Sequence, residues 1–515
     1  MKKFYDIKNG IASSSDNGLL VVAVSMSVVI KTILLINSHV VNDDAVRYAN
    51  AAYQLMQGNW SSAFSHEIML SYAFLLGLVH FLTNDWGLAG QLISVTFLTL
   101  TIFPLYYLTK ELFGTRPALW TVVAFNLIPA FNELAAEVVK DAPYLFFMTT
   151  ALCLGCRPRS EPRFSNHLLV IGCIVLATLF RFEAVVLLGL YFLWLLFQAV
   201  FHPASRAHAF NGLLLYVGML AVCVGVVAGL LFFGAMEIAT VKSIYLRFSE
   251  HYLKPDLFRD YRGIYGYLKA GEHNFAGGQW SNDFFEIARH FMPVIYLLGL
   301  LQIIGTALSP VYLVPLCLGL WALNLPARNI GLLLWTVVVY VLLGYFFIMT
   351  RNFLSERYVL VVVILLLPIA GHGFEQLVSR LIASKHQKVF ASFVVALFLI
   401  LPIYKSFAEA SDEKIEIRSA ADWLKSNTDA ASSRMATTDE RVPFYAGLYR
   451  EHYEILSGQG TRFDLDGLKR NCSLLVVDVP LQDRPEWPVY ENFALVKMFP
   501  GKKRAVLIYE KIHPL

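Results

Sequence analysis

Charge is what this chain has least of. Only 16% of its 515 residues are Asp, Glu, Lys or Arg, where a soluble protein carries roughly 25%. Against this, 57% are hydrophobic, and the mean hydropathy is +0.55. The shortage, with many long apolar runs, excludes an ordinary soluble enzyme and indicates a chain that crosses a membrane repeatedly. A net charge of +4 is too small to imply a nucleic-acid partner. Cysteine is scarce too: five of the six lie in or beside apolar runs and Cys472 stands alone near the C-terminus, so there is no disulfide framework. Cys153 and Cys156 form a C-x-x-C at the end of an apolar helix with no second pair, and no metal or redox centre is expected there. His39, His66 and His80 are scattered; neither metal nor cofactor is expected. A clear small-residue cleavage site is also lacking after the first apolar run, residues 19–36, which reads as a retained membrane helix.

What charge there is falls between the apolar runs. A span needs about 20 apolar residues, and short cytoplasmic loops are rich in Lys and Arg. Lys2, Lys3 and Lys8 put the N-terminus inside, and Arg157, Arg159 and Arg163 form a second inner loop. Counting residues 68–82 as a span would turn that basic loop outward, so the run is expected to be an interfacial helix of the first outer loop. Asp43, Asp44, Asp141, Arg181 and Glu183 then share one outer face.

A polar loop at 237–289 interleaves aromatics (Tyr245, Phe248, Tyr252, Tyr261, Tyr265, Tyr267, Trp280) with Arg247, Arg259, Arg262 and Lys269. The proline-bounded segment 310–326, with Pro315 inside, is expected not to cross. The basic stretch Arg380, Lys385, Lys388 then leaves the tail outside. From about residue 411 the composition changes. Ile415, Ile417, Ala421, Trp423 and Leu424 suggest an amphipathic helix, and short runs at 473–479, 493–498 and 505–509 suggest strands. The expected fold is mainly α: a polytopic helical membrane protein of about 11–13 transmembrane helices. Residues 1–410 form the membrane domain, with outer loops at 37–85 and 237–289, and 411–515 form a small C-terminal α/β extracytoplasmic domain.

One stretch concentrates the chemistry. Asn42 precedes Asp43 and Asp44 and reads as an N-cap, with Val41 and Val46 at hydrophobic-staple positions, both aspartates in the first turn and Gly58 as the stop. Two acids at a helix start are ordinarily only that. Here they coincide with Glu137, Lys140 and Asp141, with Arg181 and Glu183, and with Arg357 and Tyr358, all at outer turns. Acids and bases from four separate turns at one membrane face exceed what a purely structural membrane subunit requires. A transporter or lipid flippase would also need such charges, but neither an internal repeat nor a matched pair of broken helices is evident.

The pattern resembles the polyprenyl-phosphate-sugar-dependent, C-type (GT-C) membrane glycosyltransferases, which include protein O-mannosyltransferases and lipid A aminoarabinose transferases. The resemblance rests on Asp43-Asp44 with Tyr48-Ala49-Asn50-Ala51-Ala52 and Gly58, on residues 108–114, on Val139-Lys140-Asp141-Ala142-Pro143, on Glu356-Arg357-Tyr358 with Leu367-Pro368 and Gly371, and on Ala420-Ala421-Asp422-Trp423-Leu424. Ile68-Met69-Leu70 stands where many members have prolines.

The resemblance implies transfer of a sugar, a hexose or pentose, from a polyprenyl-phosphate donor to a lipid, glycan or protein acceptor. The anomeric carbon is inverted, at the outer face of a membrane such as the bacterial inner membrane. Asp43, Asp44 and Asp141 are the expected catalytic carboxylates. Arg357, Tyr358, Lys140 and Arg181 are expected to bind the donor phosphate, since cations and hydroxyls suit that oxyanion. Tyr48, Arg259 and Arg262 are expected in the donor and acceptor loops. Membrane lipids are the remaining partner.

Overall fold

The long apolar runs fold as helices and the short alternating runs near the C-terminus as strands. The computed structural model describes residues 2–38, 40–67, 69–157, 164–203, 206–232, 242, 246, 249, 256–274, 279–323, 330–383, 388–410, 414–427, 434–456, 458–459, 462–463, 472–481, 488–490 and 492–512. His39, Arg159, Arg163, Tyr245, Arg247, Phe248, Tyr252 and Lys385 lie outside the described residues. The chain divides into two compact units.

The first unit comprises residues 1–30, 95–134 and 140–406. Its central element is the helix Glu356–Ala383, which packs on Leu313–Trp321, Thr115–Leu127, Met292–Leu308 and Ile330–Arg351. Glycines permit the closest of these approaches. A side chain at Gly319 would collide with the carbonyl of Ile369, and one at Gly373 with the carbonyl of Pro315. Backbones brought this close gain dispersion contacts, the chief adhesive between helices in lipid.

Proline sets the breaks. Helix Thr115–Leu127 ends at Ile128, whose extended ψ of 122° is the conformation favoured before a proline, and Pro129 starts the next helix at 53° to the first. The apolar run 118–135 is therefore a pair of helices bent at Ile128. Met292–Leu308 ends at Ser309, at φ 69°, before a 3-10 turn at Pro310 and the nine-residue helix Leu313–Trp321. Nine residues reach only about 14 Å of a hydrocarbon core of about 30 Å.

Among the described residues five helices are long and apolar enough to cross a membrane: Gly18–Asn37, Trp86–Phe113, Phe182–Phe201, Ile330–Arg351 and Glu356–Leu381. The number rises to as many as eight if each of three bent helix pairs is one span. Asp141–Cys156, Phe164–Phe180, Pro310–Trp321 and Ser392–Ala408 are shorter apolar helices. The protein is an integral membrane protein.

The second unit comprises residues 31–94, 135–139 and 407–515. Its sheet has the order β2-β1-β5-β7-β6, with β1 (Met435–Thr437) parallel to β2 (Tyr453–Ile455) and to β5 (Leu474–Pro480), and β7 (Arg504–Lys511) antiparallel to β5 and to β6 (Phe493–Pro500). A separate two-stranded ribbon pairs β3 (Gly458–Gln459) with β4 (Arg462–Phe463). β5 is apolar on both faces because both are covered. Leu474 and Val476 pack beneath the helix Ile415–Asn427, while Leu475, Val477 and Val479 join Tyr490 and Tyr509 on the other side.

The first-loop helices Asp43–Met56, Trp60–His66 and Leu70–Thr83 belong to this unit, and Val40 packs against the core under Ile415–Asn427. Leu70–Thr83 has 14 residues, about 21 Å of helix.

Candidate active site

In the first unit, residues from several turns and helix starts converge on one partly open cleft. Asp141 contributes from the start of its helix, Arg181 and Glu183 from the 3-10 turn that follows Phe180, Tyr340 from the helix Ile330–Arg351, and Arg357 and Tyr358 from the first turn of the helix Glu356–Ala383. Arg181 is the hub. One terminal nitrogen pairs with Asp141 Oδ1, and the other lies 3.2 Å from Glu183 Oε1. The guanidinium carbon sits 4.7 Å from the ring centre of Tyr358 and 5.7 Å from that of Tyr144. The Tyr340 hydroxyl donates to the Glu183 carbonyl oxygen at 3.0 Å, and Phe347 stacks on Tyr358 at 4.9 Å.

Arg181 and Asp141 are 10% and 8% exposed, so this is a nearly buried ion pair extended by a second carboxylate. Burying such charges is tolerable only when each is answered. The guanidinium fork that looked from the sequence like a phosphate ligand is thus engaged with two acids, and it fixes the orientation of Asp141. Arg357 and Tyr358 line the same cleft, Arg357 half-buried and Tyr358 exposed. Lys140 takes the N-cap position of the Asp141 helix and is half-buried. Arg259 and Arg262, at the start of the helix Arg259–Asn274, are exposed; Arg262 pairs with Asp256, and neither lines the cleft.

In the second unit, Asp43 and Asp44 open the helix Asp43–Met56 as their spacing predicts, and Gly58 follows it at φ 76°. Asn42 occupies the N-cap position, but its side chain makes no capping bond. Its Oδ1 instead accepts from the Val138 backbone N–H at 3.0 Å. A local cap has given way to a long-range tie that the sequence did not indicate.

The two aspartates have different surroundings. Asp44 is partly buried, 3.1 Å from Arg47 one turn on, and Arg47 also reaches the buried Glu67 at 3.3 Å. Asp43 is exposed and pairs at 3.0 Å with Arg441, itself only 8% exposed. Arg441 is gripped by Asp439, whose Oδ1 accepts from both Nε and the backbone N–H of Arg441 at 2.9 Å. Burial works against the Asp439 charge, yet the hydrogen bonds and charge of Arg441 outweigh it and hold that carboxyl below its usual range. Tyr48 is buried, edge-on to Tyr72 at 4.9 Å.

Glu67, Tyr144, Tyr340, Asp439 and Arg441 carry no site role in the sequence reading. A phenol in the run Trp335–Tyr340 was the one available signal for Tyr340, while Asp439 and Arg441 sit in what reads as a turn of the tail. Cys153 and Cys156 are buried free thiols. Among the described residues no three His, Cys, Asp or Glu side chains gather as a metal site.

Residues 65–228 match the family model described as dolichyl-phosphate-mannose-protein mannosyltransferase. The structure is similar to that of ArnT from Cupriavidus metallidurans bound to undecaprenyl phosphate, with 14% identity over 95% of this chain and 98% of that one and a TM-score of 0.55. The same protein in the apo state gives 14% identity over 96% of this chain and 98% of that one, with a TM-score of 0.54. The chain shares the C-type membrane glycosyltransferase fold of these structures. Another structure similar to this C-type fold is the oligosaccharyltransferase of Archaeoglobus fulgidus in the apo form, with 13% identity over 90% of this chain and 69% of that one and a TM-score of 0.51. No curated protein sequence matches the chain. At such identities the likeness extends to the C-type fold, and residue roles rest on the geometry above.

Proposed function

We propose that the protein transfers a sugar from a polyprenyl-phosphate donor to a hydroxyl-bearing lipid, glycan or protein acceptor. The reaction takes place at the outer face of the membrane, the periplasmic side if that membrane is a bacterial inner membrane. The observation that carries this reading is the cleft in which Asp141, Arg181 and Glu183 share walls with Arg357 and Tyr358. A carboxylate fixed by an arginine, beside a guanidinium and a phenol at the start of a buried helix, suits a phosphate-bearing sugar in a membrane protein.

The donor already carries a good leaving group, so the reaction needs a base on the acceptor and donors on the departing oxyanion. The acceptor oxygen attacks the anomeric carbon as the bond to the phosphate oxygen breaks, inverting that carbon. The acceptor proton passes to an aspartate, with Asp43 or Asp44 the candidates, and polyprenyl phosphate leaves with the electron pair. Arg357 offers a bidentate fork and Tyr358 a hydroxyl, and both bonds strengthen as charge builds on the leaving oxygen. Arg181 acts on Asp141, and Asp141 completes the polar wall. Lys140 adds positive charge next to it.

The test is to incubate the purified protein in detergent with a panel of hexose and pentose polyprenyl phosphates and candidate acceptors, and to measure free polyprenyl phosphate. Acceptor-dependent release from at least one donor is expected. A panel that yields none would overturn the reading.

A further inference from the structure

We propose that Arg441 of the C-terminal domain is a positioning residue for transfer: it holds the Asp43 carboxylate in its working orientation. The inference rests on the reading of Asp43 as the acceptor-activating base.

An exposed aspartate on a first helical turn ordinarily samples several rotamers, and each wrong one removes the base from the acceptor. Asp43 is of this kind, its side chain 83% exposed, yet its Oδ1 lies 3.0 Å from the Nε of a nearly buried arginine. That arginine cannot wander. Its backbone N–H and Nε both donate to Asp439 Oδ1 at 2.9 Å, and its charge is shared between Asp439 and Asp43. The arrangement of a base oriented by a third group that is itself fixed is the logic of many hydrolytic triads.

The surroundings make the hold more than one ion pair. The Tyr445 hydroxyl accepts from the Val41 backbone N–H at 2.6 Å, and the Arg450 backbone N–H donates to Asn50 Oδ1 at 2.9 Å. Tyr449 stacks on Tyr53 at 3.6 Å and accepts from Trp86 Nε1 at 3.3 Å. Positions 43, 50 and 53 lie on one face of their helix, so a single stretch of the tail, 439–450, grips that face from its start to its third turn. Asp44, about 100° away around the helix, answers to Arg47 instead.

The experiment uses the full-length protein in detergent and measures kcat, donor KM and thermal melting. The variants are R441A, R441K, D439N/R441Q, D43N and D43N/R441A. D439N/R441Q guards against misfolding, because it leaves no unpaired buried carboxylate and a smaller gap than R441A does. In R441A and D439N/R441Q kcat should fall about 10- to 100-fold, the scale of a mispositioned reacting group. Donor KM should stay within about two-fold, and R441K should recover part of the loss because it keeps the charge but not the fork. In the D43N background, R441A should cost nothing further. Full turnover in D439N/R441Q, or an equal further loss in D43N/R441A, overturns the inference while leaving the transfer reading intact. A wild-type protein that releases no lipid phosphate from any donor overturns the transfer reading itself.

Discussion

Replacing Arg181 by Met separates a structural ion cluster from a phosphate-gripping arginine. The substitution keeps most of the side-chain volume and deletes the charge between Asp141 and Glu183. Asp141 is 8% exposed and Glu183 28% exposed, so two carboxylates would be left close together with little water to screen them. Breaking a buried pair by removing one partner costs about 3–5 kcal/mol, and the guanidinium over Tyr358 adds a smaller attraction that is lost as well. At the shift of about 2 °C per kcal/mol expected of a large domain, the melting temperature should fall by about 6–10 °C.

The buried thiols of Cys153 and Cys156 supply the readout. A thiol-reactive dye reports their exposure on heating in a background where Cys173, Cys223, Cys317 and Cys472 are replaced by Ser. Adding D141N to R181M should recover part of the loss, because one of the stranded acids becomes neutral. If R181M instead melts within about 1 °C of the wild type and only the donor KM rises, Arg181 is a ligand of the phosphate and the structural account is wrong.

Single D43N and D44N variants, assayed for polyprenyl phosphate release at normal protein levels, should show a loss of roughly 10²-fold or more in one of the two, the usual scale for removing a general base; near-normal transfer in both would dismiss this helix start as the source of the base. R357A should lower turnover more than protein abundance, and R357K should restore only part because it loses the bidentate fork; full activity in R357A would remove this residue from the site. A reporter active only in the cytoplasm, fused after Leu515, should stay silent, and a signal from it would place the tail inside.

Much of the architecture could be read directly from the residues. Asn42-Asp43-Asp44 announced a helix start, and the structure begins its helix at Asp43. The alternating and apolar runs near the C-terminus became β5, β6 and β7. β1 and β2, three residues each, fall below the length at which a period can be recognised. The break at Ile128 has its signal in Pro129, inside an otherwise unbroken apolar run. Asp141, Arg181, Glu183, Arg357 and Tyr358 could be picked out from the sequence as polar residues at turns, and they line one cleft, but which of them pair was not legible. The contact of Arg181 with Asp141 spans 40 residues, and the bond from Asn42 to Val138 spans 96. Arg441 was missed because nothing local distinguishes a buried tail arginine from a solvated one.

The tail's hold on the Asp43 helix bears on how such proteins can be recombined. An exchange that swaps the last hundred residues between two relatives leaves Val41, Asp43, Asn50 and Tyr53 facing foreign partners. The chimera would insert and fold its membrane helices yet present its first aspartate loosely. The natural unit of exchange is therefore discontinuous, with residues 37–85 travelling together with residues 411–515, and sequence change in one of these two segments should be answered by change in the other.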